Sequence, residues 1–292
     1  MFWSPYVLEK VMTTPLAAEL FADRFCFGEG PRWRAGHLWL SDMHDHKVVR
    51  LDDSGVAQTI VEVPNRPSGL GWLPDGDLLV VSMKDSKVLR FDGHALTTHA
   101  DLGSLASGHC NDMVVDAAGQ AYVGNFGFDL HQGAAQRVAE LIAIKPDGTA
   151  RIVATDLVFP NGTVITPDGR TLIVGETFAG RLTAFDIDQQ GDLHNRRIWA
   201  QMPRDAVPDG ICLDADGGIW VASPTTNECI RLVEGGAITH RVATDRGAYA
   251  CMLGGQRLFI LTCKSSRPAE CKAERSGQVV VATAPAPGAG WP

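Results

Sequence analysis

Along most of this chain short apolar runs alternate with Gly/Asp clusters, and the alternation repeats. Six times a short apolar segment, a turn and a second apolar segment follow one another. The copies are Glu29-Gly30-Pro31 running into HLWLSD, Ser68-Gly69-Leu70 into PDGDLLVVS, and Asn111-Asp112-Met113 into DAAGQAYVGN. They continue with Asn161-Gly162-Thr163 into PDGRTLIVGE, Asp209-Gly210-Ile211 into DADGGIWVAS, and a worn copy, Ala250-Cys251-Met252 into GGQRLFILT. A third strand of period 2 follows each hairpin, as in KVVRLD, KVLRFD, ELIAIK and RLTAFD. Such alternation marks half-buried strands. The turns between them, Pro146-Asp147-Gly148 among them, combine a preset φ, an Asp that bonds its own backbone, and a Gly that accepts positive φ.

A step of roughly 40–50 residues between copies is the period of a four-stranded propeller blade. The pattern therefore predicts an all-β chain, a six-bladed β-propeller with inner strands starting near 30, 69, 112, 162, 210 and 251. Closure of the ring is expected from a strand around Ala17–Phe25 paired with C-terminal strands, since this removes an exposed edge. Helical periodicity is scarce, and Thr14–Phe21 is its best candidate. No Ser/Pro/Gly-rich spacer interrupts the repeats, so residues 1–292 read as one domain, with a short N-terminal segment and a poorly ordered tail after about 284.

Composition narrows the function. The net charge of −8, with Lys and Arg scattered singly, argues against nucleic acid. No stretch approaches the roughly 18–20 apolar residues of a membrane span. The N-terminal segment lacks a basic leader followed by an apolar core, so no signal peptide is read. Seven cysteines without a CxxC pair suit reduced thiols in a cytoplasmic setting. Cys110, Cys212 and Cys251 fall in inner strands and read as small buried hydrophobes, while Cys263 and Cys271 flank a loop. Trp33, Trp39, Trp72 and Trp220 fall in the hairpins, where they can fill wedges between blades.

Candidate chemistry lies at the first position of each repeat. In a propeller these positions converge on the channel, and four of the six carry a carboxylate or carboxamide: Glu29, Asn111, Asn161 and Asp209. Each Asx-Gly pair alone is an ordinary turn signal. Their coincidence points elsewhere, because both pairs follow a proline and Glu29 holds the matching place in the first repeat. Oxygen donors packed together stay unsatisfied unless a cation lies between them. Without clustered His or Cys they suit a hard divalent ion, Ca²⁺, Mg²⁺ or Mn²⁺ ahead of Zn²⁺ or Fe²⁺. There is no G-x-S-x-G elbow, Walker loop or dinucleotide fingerprint in the required βα context.

Gly28-Glu29-Gly30-Pro31, Cys110-Asn111-Asp112, Phe159-Pro160-Asn161-Gly162 and Pro208-Asp209-Gly210, in this order, resemble the motifs of the gluconolactonase, regucalcin (senescence marker protein) and luciferin-regenerating enzyme family. The resemblance runs from about Phe27 to Thr283. It implies a six-bladed propeller with one divalent metal in the channel and hydrolysis of a small-molecule lactone by metal-activated water. By motif matching, Glu29, Asn161 and Asp209 resemble the metal ligands, Asp209 also the proton-transferring base, and Asn111 a substrate contact. His109 stands where sugar-lactone members tend to carry Arg, and Asp129 falls near a second acidic substrate contact. An imidazole in place of a bidentate cation is expected to favour less hydroxylated lactones, with Phe126 and Phe128 adding apolar surface if they face the channel mouth. Glu176, at the far end of its hairpin, reads as an inter-blade hydrogen-bond partner. Two other readings stay open: a non-catalytic calcium-binding or regulatory propeller, and a strictosidine-synthase-like propeller enzyme, which would not be expected to keep the Glu/Asn/Asp set. Oligomeric state is not legible.

Overall fold

The structure, a computed structural model, describes residues 13–291. The segment read as lacking an export signal falls mostly in residues 1–12, outside the described residues. Six antiparallel sheets follow the six repeats around a ring. Blade 1 comprises Gly28–Arg34, His37–Asp42, Lys47–Leu51 and Ala57–Glu62, and blade 2 Pro67–Trp72, Leu78–Ser82, Lys87–Phe91 and Leu96–Asp101. Blade 3 comprises Cys110–Val115, Ala121–Asn125, Ala139–Ile144 and Ala150–Leu157, and blade 4 Pro160–Ile165, Thr171–Glu176, Arg181–Ile187 and Leu193–Gln201. Blade 5 comprises Ile211–Leu213, Ile219–Ser223, Glu228–Leu232 and Ile238–Ala243. Blade 6 takes Gly247–Gly254, Arg257–Cys263 and Gly277–Thr283 from the C-terminal part of the chain, and its outermost strand, Ala18–Phe25, from the N-terminal part. Among the described residues no helix is long and apolar enough to cross a membrane.

That outermost strand closes the ring as the edge argument requires. It also overturns the helical reading of Thr14–Phe21. Thr14–Leu16 adds in parallel to the outer strand of blade 5, and Ala18 onward pairs with Gly277–Thr283. Two open sheet edges offer backbone partners to this short segment, and those bonds outweigh a weak helical pattern.

The hairpin tips are built as the turn residues suggest. Asp116 Oδ1, for example, accepts the backbone N–H groups of Ala118 and Gln120, each at 2.9 Å. Between blades the aromatic side chains act as wedges. Trp39 meets Trp72 edge-on at 5.3 Å, and Trp33 stacks on Phe259 at 5.5 Å. All seven cysteines are buried and unpaired.

Register breaks in the inner strands set the direction of the channel-facing side chains. The pairing slips between Glu29 and Arg32, between Pro67 and Leu70, between Cys110 and Met113, and between Pro160 and Thr163. A bulge leaves residues out of the ladder and re-aims their side chains. In blades 2, 3 and 4 it spans the repeat's first position, and in blade 1 it begins just after Glu29.

The tail after 284 is ordered. Trp291 exchanges backbone bonds with Ile165 (2.7 and 3.0 Å), Ala289 N–H donates to Leu213 O at 3.0 Å, and Ala215 N–H donates to Pro287 O at 2.8 Å. Low sequence complexity did not prevent this, because the far ends of the inner strands hold N–H and C=O groups that the tail satisfies.

Glu176 is fully buried and binds mainly within its own blade, with one bond from the connection to blade 3. It accepts from Arg181 Nε at 2.8 Å, Arg196 at 3.2 Å, the Thr183 hydroxyl, and the Val158 N–H at 2.8 Å. Burial pushes its carboxyl up, but the bonds from Arg181, Thr183 and Val158 outweigh it and hold the group below its ordinary value. A depressed acid contributes stability above its unfolded pKa of about 4.3 that is lost as pH falls through the folded value. Glu176→Gln should therefore cost about 1.5–3 kcal/mol at pH 7. Urea denaturation should show the gap to the parent protein closing in acid.

Candidate active site

At one mouth of the channel lies a cavity of about 240 Å³. Its floor carries Glu29, Asn111, Asn161 and Asp209, contributed by blades 1, 3, 4 and the start of blade 5. Each is less than a tenth exposed. The backbone fixes their relative placement. Gly162 N–H donates to Asp209 O at 3.1 Å and Gly210 N–H to Tyr249 O at 2.8 Å, so three inner strands are tied to one another beside the axis. Asp209 N–H also donates to Ala222 O at 3.0 Å, holding Asp209 at the edge of blade 5.

Glycine is required behind the donors because these strands crowd. A Cβ on Gly162 would lie 2.4 Å from Ile211 N, and one on Gly210 would lie 2.6 Å from the Ala250 Cβ. The Asx-Gly pairs are thus points of close strand approach rather than turns.

Side-chain bonds orient the two amides. Asn161 Nδ2 donates to Thr177 Oγ1 at 3.2 Å, and that hydroxyl donates to Pro208 O at 2.8 Å. Ser68 Oγ donates to Asn111 Oδ1 at 3.3 Å. Below the floor Arg32 is buried, pairing with Asp112 at 3.0 Å and donating to Leu70 O at 2.9 Å, Pro31 O at 2.7 Å and Met113 O. Asp112, which shares a repeat with Asn111, is therefore spent on Arg32.

The floor is short of positive charge. Burial pushes the Glu29 carboxyl well above the usual carboxylate range, and the neighbouring charges of Asp209 and Asp112 add to the effect. Burial likewise pushes Asp209 up to about 8, with Asp112 reinforcing the shift and the Asn161 amide opposing it. Glu29, Asp112 and Asp209 face a single guanidinium, that of Arg32, leaving two acids without a counter-ion. Two acids and two amides of this kind fit a hard divalent cation.

A second acidic group does not fit one. Ligand atoms of Cys26, Asp42 and Asp45 lie within 4.8 Å of one another. Arg275 already pairs with Asp45 at 3.0 Å and donates to Cys26 Sγ at 3.2 Å, while Lys47 lies 2.5 Å from Asp45. Burial and the Asp42 charge push the Cys26 thiol up to about 11. This cluster has its cations built in.

Two residues expected at the substrate are not among those lining this cavity. His109 is half-buried outside the cavity lining, its ring 6.4 Å from that of Phe126. Asp129 is exposed, and its carboxylate accepts the Gln132 N–H at 3.2 Å, capping the short turn Leu130–Gln132. Of the two phenylalanines expected to add apolar surface, Phe126 lines the cavity, and Phe128 lies behind it against Phe159 and Phe178. Sequence reasoning missed the remaining wall: Phe27, Met43, Met83, Phe159, Phe178 and Tyr249. Phe159, directly before Pro160-Asn161, was the one of these that a motif had already marked.

Comparisons with known proteins agree with the architecture. Residues 27–267 match the family model described as the SMP-30/Gluconolactonase/LRE-like region. Regucalcin of Gallus gallus is 26% identical over 217 residues, covering 72% of this chain and 73% of that protein. The 6-deoxy-6-sulfogluconolactonase of Pseudomonas putida is 24% identical over 253 residues, 82% of this chain and 83% of its own. Among solved structures, a calcium-binding protein, regucalcin, from Agrobacterium tumefaciens superposes with a TM-score of 0.79 at 21% identity, covering 96% of this chain and 97% of that one.

An acid whose pKa is raised on folding binds its proton more tightly in the folded state, so raising pH costs stability. Chelator-treated protein should therefore melt at progressively lower temperature from the ordinary carboxylate value of about 4 up to about 8. Added Ca²⁺ should flatten that slope in thermal melts at pH 5 and pH 8. A flat profile in chelator would mean that other groups already neutralise the floor.

Proposed function

This chain belongs to the SMP-30/gluconolactonase/LRE-like family, and from that premise we propose that it is a divalent-metal-dependent hydrolase that opens a lactone. The observation that carries the reading is the pair of buried acids, Glu29 and Asp209, set with two amides at the base of an apolar-walled cavity and lacking a counter-ion. Relatives named as lactonases support the reaction class at about a quarter identity.

Glu29, Asn161 and Asp209 would hold the ion, with Ca²⁺ first among hard cations and Mg²⁺, Mn²⁺, Zn²⁺ or Fe²⁺ as alternatives. When bound, such an ion polarises an ester carbonyl and makes water a better nucleophile near neutral pH. The chain's own groups supply the rest. Thr177 occupies the Asn161 N–H side, which leaves its carbonyl oxygen as a donor atom toward the ion. Ser68 occupies the Asn111 carbonyl, which leaves the Asn111 amide hydrogens to hold the substrate's oxygen. Asp209 accepts the proton of the attacking water and returns it to the ring oxygen as the C–O bond breaks. The apolar walls exclude bulk water, which strengthens each of these polar contacts. The seven unpaired thiols accord with a reducing, cytoplasmic setting.

Asp209→Asn keeps the volume and removes a charge, a donor and the base. Metal content by elemental analysis should fall well below one ion per chain, and kcat/KM on a lactone should fall by about 10²–10⁴. Full occupancy with unchanged hydrolysis would put the site elsewhere. Stoichiometric metal binding by the parent protein with no turnover of any lactone would favour the regulatory reading instead.

A further inference from the structure

The cavity floor is polar, but its walls are not, and we propose that this site selects lactones bearing an apolar alkyl or aryl substituent, which packs against Phe126, Phe159 and Phe178. This selectivity rests on the hydrolase reading of the same site and names its substrate class.

The three rings form one surface. Phe126 and Phe159 stack with centroids 4.3 Å apart and planes 18° from parallel, and Phe178 meets Phe159 edge-on at 4.8 Å. Across the cavity Phe27 and Tyr249 form an edge-on pair at 4.7 Å, flanked by Met43 and Met83. Phe159 takes a left-handed backbone conformation, φ +59°, which a bulky side chain avoids. The same turn recurs at Arg66, one residue before Pro67, so the repeat supplies the turn and the sequence chooses the aromatic ring that it carries.

The rim is apolar as well. Phe178 is 44% exposed and Leu130 39% exposed, and both border this cavity. Large exposed hydrophobic side chains gathered at the rim of a concave site mark a binding surface rather than core.

Polar groups on the walls are already engaged. Thr177 donates to Pro208 O at 2.8 Å and Thr225 to Asp205 O at 2.7 Å, while His44 Nε2 contacts Ser266 O at 3.2 Å. No Lys or Arg is among the lining residues, and Arg66 and Lys84, which influence His109, also lie outside the lining. A polyhydroxylated ring would thus bring several hydroxyls against largely apolar walls with few polar partners, and each unpaired hydroxyl is costly. With about 240 Å³ available, the cavity suits a single ring with a short substituent.

Steady-state hydrolysis of δ-decalactone, δ-valerolactone and glucono-δ-lactone under one metal condition tests the inference. The pentyl-bearing δ-decalactone should exceed gluconolactone in kcat/KM by at least about tenfold. Phe178→Ser, at an exposed position that should leave folding intact, should lower the δ-decalactone to δ-valerolactone ratio about fivefold, chiefly through KM. Gluconolactone as the equal or better substrate, or an unchanged ratio in the variant, would overturn it. Calorimetry with cyclohexanone analogues, which cannot be hydrolysed, separates this inference from the hydrolase reading. 3-Pentylcyclohexanone, the carbocyclic counterpart of δ-decalactone, should bind at least about tenfold tighter than a polyhydroxylated cyclohexanone. Equal or reversed affinities overturn the inference, whereas the expected affinities with no lactone turnover retain it and sink the hydrolase reading alone.

Discussion

Uncompensated negative charge, buried where the inner strands meet, is the constraint on which the rest of this structure depends. Glu29 and Asp209 sit under a cavity with apolar walls, and the Arg32 guanidinium beneath them is committed to Asp112 and to backbone carbonyls. An isolated carboxylate in such surroundings is expensive, and the system answers by raising its proton affinity or by taking up a cation. Under the hydrolase proposal, a cation taken up between these acids would act on an ester beside apolar walls, where less solvent screens it than in open water.

Holding two acids together requires a scaffold that does not relax away from them. Backbone bonds from Gly162 to Asp209 and from Gly210 to Tyr249 lock neighbouring inner strands at a separation too small for a Cβ. Ring closure by Ala18–Phe25, and the tail that spans the opposite ends of blades 4, 5 and 6, keep the blades from opening. Inner-strand bulges then take Asn111 and Asn161 out of the ladders, while Glu29 stays paired at the edge of its own. Glycine and bulge act together: one lets the strands approach, and the other frees side chains to use the space.

Floor and walls obey different rules. The floor residues are held by specific bonds that leave chosen atoms available, as Ser68 does for Asn111 and Thr177 for Asn161. The walls present aromatic faces and thioethers, and the Thr177 and Thr225 hydroxyls among them donate to backbone carbonyls. Chemistry and selectivity are thus separable, and walls can change without disturbing the floor.

By itself the sequence determined the strands, their grouping into six blades and the residues of the floor. Period-2 alternation and Asp/Gly turns are local signals, and Glu29, Asn111, Asn161 and Asp209 stood out as polar exceptions at one position of a repeat. Ring closure was legible because an unpaired edge is a general cost. Tertiary structure alone decided what depends on direction and distance. It set the His109 ring beside Phe126 without bringing it into the cavity lining, engaged Asp129 in a cap, and drew most of the Glu176 bonds from its own blade. It ordered the tail, because open backbone groups waited beneath the channel. It also gathered Phe27, Phe159, Phe178 and Tyr249 into one wall, although they lie in four separate stretches of the chain. Sequence spacing carries no record of which side chains a bulge or a left-handed turn will point at the same empty space.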